Sequence, residues 1–509
     1  MKKILLSLML CSLFYLGHAQ KLTFDNISKV YIRSTGPIIS GKEVSGYYFL
    51  YKVEKTDRQN SLFKLVFTDN NLNKVAEKEI TMLSTHFVSD AGFDGKYISI
   101  QFLSLEAGGA FVSGPKKDGS ETIKVFDTKG NEVKSIENTA NGMAYYLHGL
   151  MSGGTEKDEI ESNDLVALPN VGVIDIKPYL AGSGKMGMYG TKSDLSTEIT
   201  MYPLTYPTKT WKYTSPSGSI ELTNYLGSSD QISFFSIMQK TSFTSREVTF
   251  KSLCLDHTSG KTIVNKEFGD DKNVFDVNNF VYLPDTKQNI VSGTLIEKKK
   301  KTKRAATDGM FLAFMDNKGA LSNMQTIAWD DFTEKFNLKE ENGKPMEIDG
   351  IYVQKVVSTN DGKIFVIGEA YNGSSIKDFI LIEVDKNLKP VKVTQMHKEA
   401  HAGGALGINQ VGEAMKPIIL KYWGDFDYAY TQERDDRSSF SICYTFKEKG
   451  VGYFGTITYS DGKFVKDKIS LKTDASSIHV YAAKPGYVMI IEYFKKEKKM
   501  ESRLEKFNF

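Results

Sequence analysis

Two histidines stand four residues apart in His397-Lys398-Glu399-Ala400-His401. On a helix both imidazoles would share one face, as metal ligands do. The zinc-hydrolase pattern needs Glu directly after the first His, and Lys398 stands there. Gly403-Gly404 follows, so the plainer reading is a loop with two solvated histidines. His397 and His401 are therefore the candidate metal ligands, on spacing alone. Trp423 to Tyr430, WGDFDYAY, interleaves aromatics with carboxylates. Sugar sites use that mixture. Trp423, Asp425, Asp427 and Tyr428 are the candidate ligand face, with a strand end and turn as the plainer reading. The basic run Lys298 to Arg304, with Lys299 and Lys300 at its centre, suits an anionic glycan or headgroup or a solvated hairpin tip.

Other constellations lack their essential parts. Gly182-Ser183-Gly184-Lys185-Met186-Gly187 has no correctly spaced upstream Gly and no hydroxyl after its Lys, so it is not a phosphate loop. Acidic clusters at Asp158, Glu159, Glu161 and Asp164, and at Asp425, Asp427, Glu433, Asp435 and Asp436, do not match the twelve-residue calcium loop. No cofactor is expected, calcium being the ion that these acids could still take. A glycosidase needs two carboxylates a set distance apart, which spacing along a chain does not fix.

The elements that must position these groups are strands. Thr122 to Ile136, TIKVFDTKGNEVKSI, reads as two alternating runs around a turn whose Asp and Gly supply local hydrogen bonds and a positive φ. The unit recurs at Asp69, Asp127, Asp194, Asp256, Asp316, Asp385 and Asp461, at separations of 58 to 76 residues. A strand-pair repeat at such a period predicts an array of small sheets. Each repeat reads as four strands, and Ile232 to Met238, Ile290 to Ile296, Ile364 to Glu369, Phe440 to Phe446 and Tyr487 to Tyr493 are expected as second strands. The expectation is an all-β chain folded as a single β-propeller of four-stranded blades, with eight favoured over seven. Consecutive β-sandwiches are the alternative. The last repeat lacks its outer strand, and Leu22 to Ile27 is a spare strand that would complete it and close the ring.

Residues 1–19 read as a signal peptide. Lys2 and Lys3 precede an apolar core from Ile4 to Leu16 that is too short to span a bilayer, and Ala19-Gln20 fits a cleavage site. Residues 20–509 would then be one propeller domain, periplasmic or secreted, with no transmembrane span. Lipidation at Cys11 is disfavoured by the bulky residues before it. The net charge of +3 gives no field for nucleic acid. Cys254 and Cys443 fall in strands of different repeats and read as buried thiols, so a large core must hold the chain together.

In a four-strand meander, the second-to-third hairpins and the crossings emerge on one face. The long insertions Ser104 to Glu121, Asn138 to Asn163, Glu297 to Asp308, Asp330 to Asp349 and Lys398 to Lys416 fall there, and such loops on a rigid scaffold are where binding resides. Asp330 to Glu341 predicts a short helix stopped by Asn342-Gly343, a lid or a packing plug. The hairpins resemble sialidase Asp-boxes only in part, since Ser358 to Lys363 and Ser460 to Lys463 lack the Trp. Taken whole, the chain resembles an uncharacterised secreted family of Gram-negative bacteria, through its signal peptide, Val30 to Gly36 and Phe332 to Lys344. That resemblance implies an envelope location and brings no catalytic residues. The functional expectation is a non-catalytic binding or scaffold module whose partner is a protein or glycan of the envelope. The alternative is a glycan- or lactone-directed hydrolase or lyase with carboxylates in the central channel.

Overall fold

The computed structural model describes residues 21–30, 35–53, 57–105, 119–142, 144–145, 148, 165–181, 194–204, 209–216, 218–241, 248–284, 286–298, 307–340, 342–398, 416–422, 424–471 and 473–508. The chain is all-β there, as the alternating runs require. Its strands form antiparallel meanders in chain order. The first meander runs through Glu43–Val53, Asn60–Asp69 and Lys74–Leu83, with Ile27–Val30 and Gly36–Ser40 sharing its first position. The second is Phe87–Phe93, Tyr97–Ser104, Gly119–Asp127 and Glu132–Ala140. One eight-stranded sheet contains the third and fourth. The third is Leu165–Leu168, Gly172–Ala181, Asp194–Pro203 and Trp211–Thr214. The fourth is Ile220–Ser228, Ile232–Lys240, Val248–Asp256 and Thr262–Lys266. A single parallel pairing, Leu195 with Ile220, joins them.

The fifth meander is Asn273–Leu283, Gln288–Glu297, Thr307–Met315 and Leu321–Ala328, with Phe268–Gly269 beside its first strand. The sixth is Gly350–Ser358, Ile364–Asn372, Ser375–Val384 and Pro390–Met396. The seventh is Tyr428–Glu433, Ser439–Glu448, Val451–Ser460 and Lys463–Ser470. The eighth is Ser477–Ala482, Tyr487–Phe494 and Lys499–Lys506, and its fourth strand is Lys21–Phe24 from the other end of the chain.

Strand alternation places the core between meanders. In Glu43–Val53 the side chains of Tyr47, Phe49 and Tyr51 pack with Met489 and Ile491 of the eighth meander, while Tyr48 and Leu50 pack with Ile98, Ile100 and Phe102 of the second. Both faces of the strand are buried, so it reads as an unbroken apolar run. The same pattern repeats at the other junctions, second to third through seventh to eighth. Cys254 and Cys443 are free and buried in these layers.

Five of the expected aspartate turns share one hydrogen bond, and the turn at Asp256 is one residue longer than the other four. Asp69, Asp127, Asp256, Asp316 and Asp385 each accept the backbone N–H two residues on, from Asn71, Lys129, Thr258, Lys318 and Asn387, at 2.8 to 3.1 Å. Each turn then closes through a positive φ, at Leu72, Gly130, Gly260, Gly319 and Leu388. Two of the anchors differ. Asp461 is itself in the left-handed region, with Gly462, in a two-residue turn between Ser460 and Lys463. Asp194 opens a strand and pairs with Ala181, so it is no turn anchor.

The helix expected from Asp330 spans Trp329–Lys335, with Asp330 and Asp331 in its first turn. It ends early because Asn337 takes a positive φ. Trp329 and Phe332 are buried in the cluster between the fifth and sixth meanders, so the helix packs into that junction. No helix among the described residues is long and apolar enough to cross a membrane.

Candidate functional site

The crossing from the sixth to the seventh meander brings together groups that the chain keeps far apart. Lys398, just past Pro390–Met396, extends its Nζ to Glu369 Oε1 and Asp427 Oδ2, each at 2.8 Å. Glu369 belongs to the second strand of the sixth meander and Asp427 precedes the first strand of the seventh. All three side chains are buried. The remaining capacity of Glu369 is filled by Gln354 Nε2 at 3.0 Å and by the backbone N–H groups of Asp427 and Tyr428 at 3.2 and 3.3 Å. The ammonium also sits 4.7 Å from the centre of the Phe379 ring, a cation–π contact.

A second layer orients the first. Asp378 Oδ1 accepts the backbone N–H of Lys398 at 3.0 Å, and its Oδ2 accepts from Gln395 Nε2 at 2.7 Å and meets His397 Nδ1 at 2.8 Å. Lys466 of the seventh meander donates to the carbonyl of His397. Burial works to lower the Lys398 pKa, but its two carboxylates outweigh that and hold it above the usual lysine range. Burial pushes Glu369 up, against the pull of Lys398. The lysine is a fixed cation that holds both carboxylates, one positive charge against two acids.

The second and third meanders repeat the arrangement. Lys177 pairs with Glu121 and, at 2.9 Å, with Asp175, all three buried. Gln101 Nε2 donates to both carboxylates, at 3.1 Å to Asp175, and Asn138 Nδ2 reaches Glu121 at 2.9 Å. Asp175 is raised well above an ordinary aspartate by burial and by the nearby Glu121 charge. Each cluster is one lysine against two carboxylates, and each ties one meander to the next.

These clusters resolve the candidates from spacing. Asp427 and Tyr428 meet at the Lys398 cluster, and His397 reaches it through Asp378. Asp425 lies in the same crossing, its N–H on the Leu420 carbonyl at 2.9 Å. His401, Trp423, Lys299 and Lys300 lie outside the described residues, as do Gly182 to Gly187 and Asp158 to Asp164. Among the described residues no group of three His, Cys, Asp or Glu is placed to hold a metal ion. Lys398, which spoils the metalloprotease spacing, proves to be the centre of the cluster. Glu369, Asp378, Asp175 and Glu121 went unread. The signal for Glu369 and Asp175 was a single acid inside an apolar strand, in IFVIGEAYN and GVIDIKPYLA.

Residues 1–376 and 373–508 match a family of unknown function, DUF6770. The chain belongs to that family. No curated protein matches the sequence. Among solved structures, prolyl oligopeptidase B from Galerina marginata, bound to a 35mer hydrolysis and macrocyclization substrate, has a TM-score of 0.40 at 10% identity, over 91% of this chain and 55% of that one. A structure from a study of two prolyl endopeptidases gives 0.37 at 10% identity, over 92% and 54%. Synechocystis apocarotenoid oxygenase gives 0.30 at 12% identity, over 55% and 58%. The chain spans about half the length of the oligopeptidase and endopeptidase chains.

Proposed function

We propose that the chain is a secreted, envelope-located β-propeller of eight blades that serves as a non-catalytic binding or scaffold module. Signal-peptide cleavage before Gln20 would release it into the periplasm or beyond. Closure of the ring is supported by the pairing of Lys21–Phe24 with Lys499–Lys506 and by the core cluster that joins the eighth meander to the first.

The observation that carries the binding reading is the unequal length of the connections on the two faces. On one face the turns are short, as at Phe93 to Tyr97, Ser228 to Ile232, Met315 to Leu321 and Ala482 to Tyr487. On the other, the chain runs from Ser104 to Gly119, Ala140 to Leu165, Glu297 to Thr307 and Met396 to Tyr428 before the next described strand, while Leu83 to Phe87, Asn372 to Ser375 and Glu448 to Val451 stay short. Long connections on a rigid scaffold concentrate on one side where that side meets a partner. The two buried lysine clusters lie toward this crossing face and fix strand ends that carry the connections. Their carboxylates are held in place by a lysine and by amide N–H groups, which favours positioning over acid–base work and weighs against the hydrolase alternative.

The test compares the chain from Gln20 with two variants. One replaces residues 106–118 and 299–306 by short Gly-Ser linkers, and the other alters the short-face turn Ser229 to Gln231. Envelope protein or glycan retained by the wild type and by the short-face variant, and lost from the crossing-face variant, supports the proposal. Turnover of a glycan or lactone by the wild type would displace it in favour of the enzyme.

A further inference from the structure

A cleft of about 390 Å³ opens between the first two meanders. That volume lies within the usual range for small-molecule sites, roughly 300–1,000 Å³. Its walls come from the start of a third strand and the end of a fourth in each meander, together with the crossing that holds His86. By topology this places it on the face of the long connections. Polar lining comes from Asn60, Thr81, His86, Ser120, Thr122 and Glu137. Met82 and Leu83 supply the apolar part, and Leu83 is 56% exposed.

The polar groups are already oriented. Ser120 Oγ and His86 Nε2 are 3.1 Å apart, and Thr122 Oγ1 donates to Glu137 Oε2 at 2.7 Å. His86 is 7% exposed, and its Nδ1 makes no hydrogen bond of proper geometry among the described residues, although the Leu83 carbonyl lies close. Burial lowers the imidazole pKa, with the Glu137 charge opposing, so the ring stays neutral and offers one donor and one acceptor. Thr81, Leu83 and Glu137 form the exposed rim, while Met82, His86 and Thr122 form the floor.

We propose that this cleft binds a neutral sugar unit. Hydroxyl, amide and neutral imidazole groups each donate and accept, as the hydroxyls of a sugar do. The lone carboxylate accepts from hydroxyls and repels anions. An alkylammonium would satisfy Glu137 but set its carbons against the imidazole, amide and hydroxyls. Leu83 gives the C–H face of a ring an apolar seat. The assignment rests on the crossing face being the binding face and adds the ligand class to it.

The test presents neutral glycans, sialylated or sulfated glycans and spermidine to the chain from Gln20 and to Thr81→Trp and Glu137→Gln. Glycan-array binding and ligand-observed NMR are the readouts, and the melting temperature checks the fold of each variant. Both substitutions sit on the exposed rim, so the fold survives. The expected result is binding of neutral glycans alone, abolished by Thr81→Trp, which fills the cleft. Glu137→Gln should weaken it about tenfold, the worth of one charge-assisted hydrogen bond. A glycan that binds Thr81→Trp as well as wild type overturns the cleft and leaves the crossing-face reading standing. Binding of charged ligands alone, or of no neutral glycan, overturns the sugar assignment.

Discussion

A buried lysine matters most for what its removal leaves behind. Lys398 holds Glu369 and Asp427 out of water, and neither acid has another cation among its described contacts. Lys398→Met would keep the stem's packing and leave two carboxylates together in an apolar layer. The expected loss is about 3–5 kcal/mol at pH 7, the usual cost of breaking a buried pair from one side. Urea unfolding checks it, and a loss below 1 kcal/mol would show that water already reaches the cluster. Asp276 makes the opposite case. It is 5% exposed, and burial pushes its carboxyl up to about 7 from 3.8. Between those values the unfolded chain releases a proton that the native chain keeps, so folding stability falls as pH rises through the window. Asp276→Asn should match wild type near pH 4 and exceed it above pH 7, by on the order of 4 kcal/mol at about 1.4 kcal/mol per pKa unit. Paired denaturation curves at the two pH values decide it, and an equal gain at both would exclude titration as the cause.

At the scale of elements, the third-to-fourth hairpins carry the repeat that was legible along the chain. Their aspartates act through local hydrogen bonds, so residue type and spacing suffice to reveal them. Asp316 accepts from Lys318 N and Ala320 N, both at 2.8 Å, and Gly319 closes the turn at φ +80°. Asp316→Ala should cost about 1–3 kcal/mol, two net backbone hydrogen bonds. Thermal melting of the variant beside Asp316→Asn, which keeps an acceptor, separates the bonds from the charge. The second strands were legible too, because runs such as YVMIIEYF are buried on both faces. What stayed hidden was non-local or irregular. First strands carry a bulge at Ser28, Ser89, Leu226, Asn278, Gln354 and Ala429, each skipped in the register. A bulge leaves no mark on alternation beyond one extra residue, yet it turns Ser89 and Gln354 toward Gln101 and Glu369. The lysine clusters were hidden for the same reason. Glu369 and Asp427 are 58 residues apart, and only the stacking of meanders brings them to one ammonium.

At the scale of the whole molecule, the first and last described strands lie side by side. Outer strands such as KVAEKEITML, EVKSIENTA and KFVKDKIS alternate charge along their free edges, which deters pairing with other sheets. In the eighth meander Lys21–Phe24 takes that place, from Lys21 opposite Arg503 to Phe24 opposite Met500. Phe24 then packs 5.2 Å from both Phe49 and Tyr51 of the first meander, so one short strand serves two meanders. On the other face, the tip of the first hairpin reaches the seventh meander. Lys42 N donates to Asp435 Oδ1 at 2.6 Å and Lys42 Nζ meets Glu433. Gly41 is at φ +66°, and a Cβ there would meet Asp435 Oδ1 at 2.9 Å, so a side chain would push the Asp435 carboxylate aside. A row of stacked meanders would fray independently at its two ends, whereas a ring must open at one seam. In the proposed ring, removing residues through Phe24, or substituting Phe24→Ala, should cost on the order of 3–5 kcal/mol, as for a large buried aromatic. Hydrogen exchange locates the opening. In a ring, protection falls together in Lys499–Lys506 and in Glu43–Val53 across the seam, while the fourth and fifth meanders hold. Loss confined to Lys499–Lys506, with Glu43–Val53 unchanged, would mean that the first and last meanders do not depend on each other and that the ring is open.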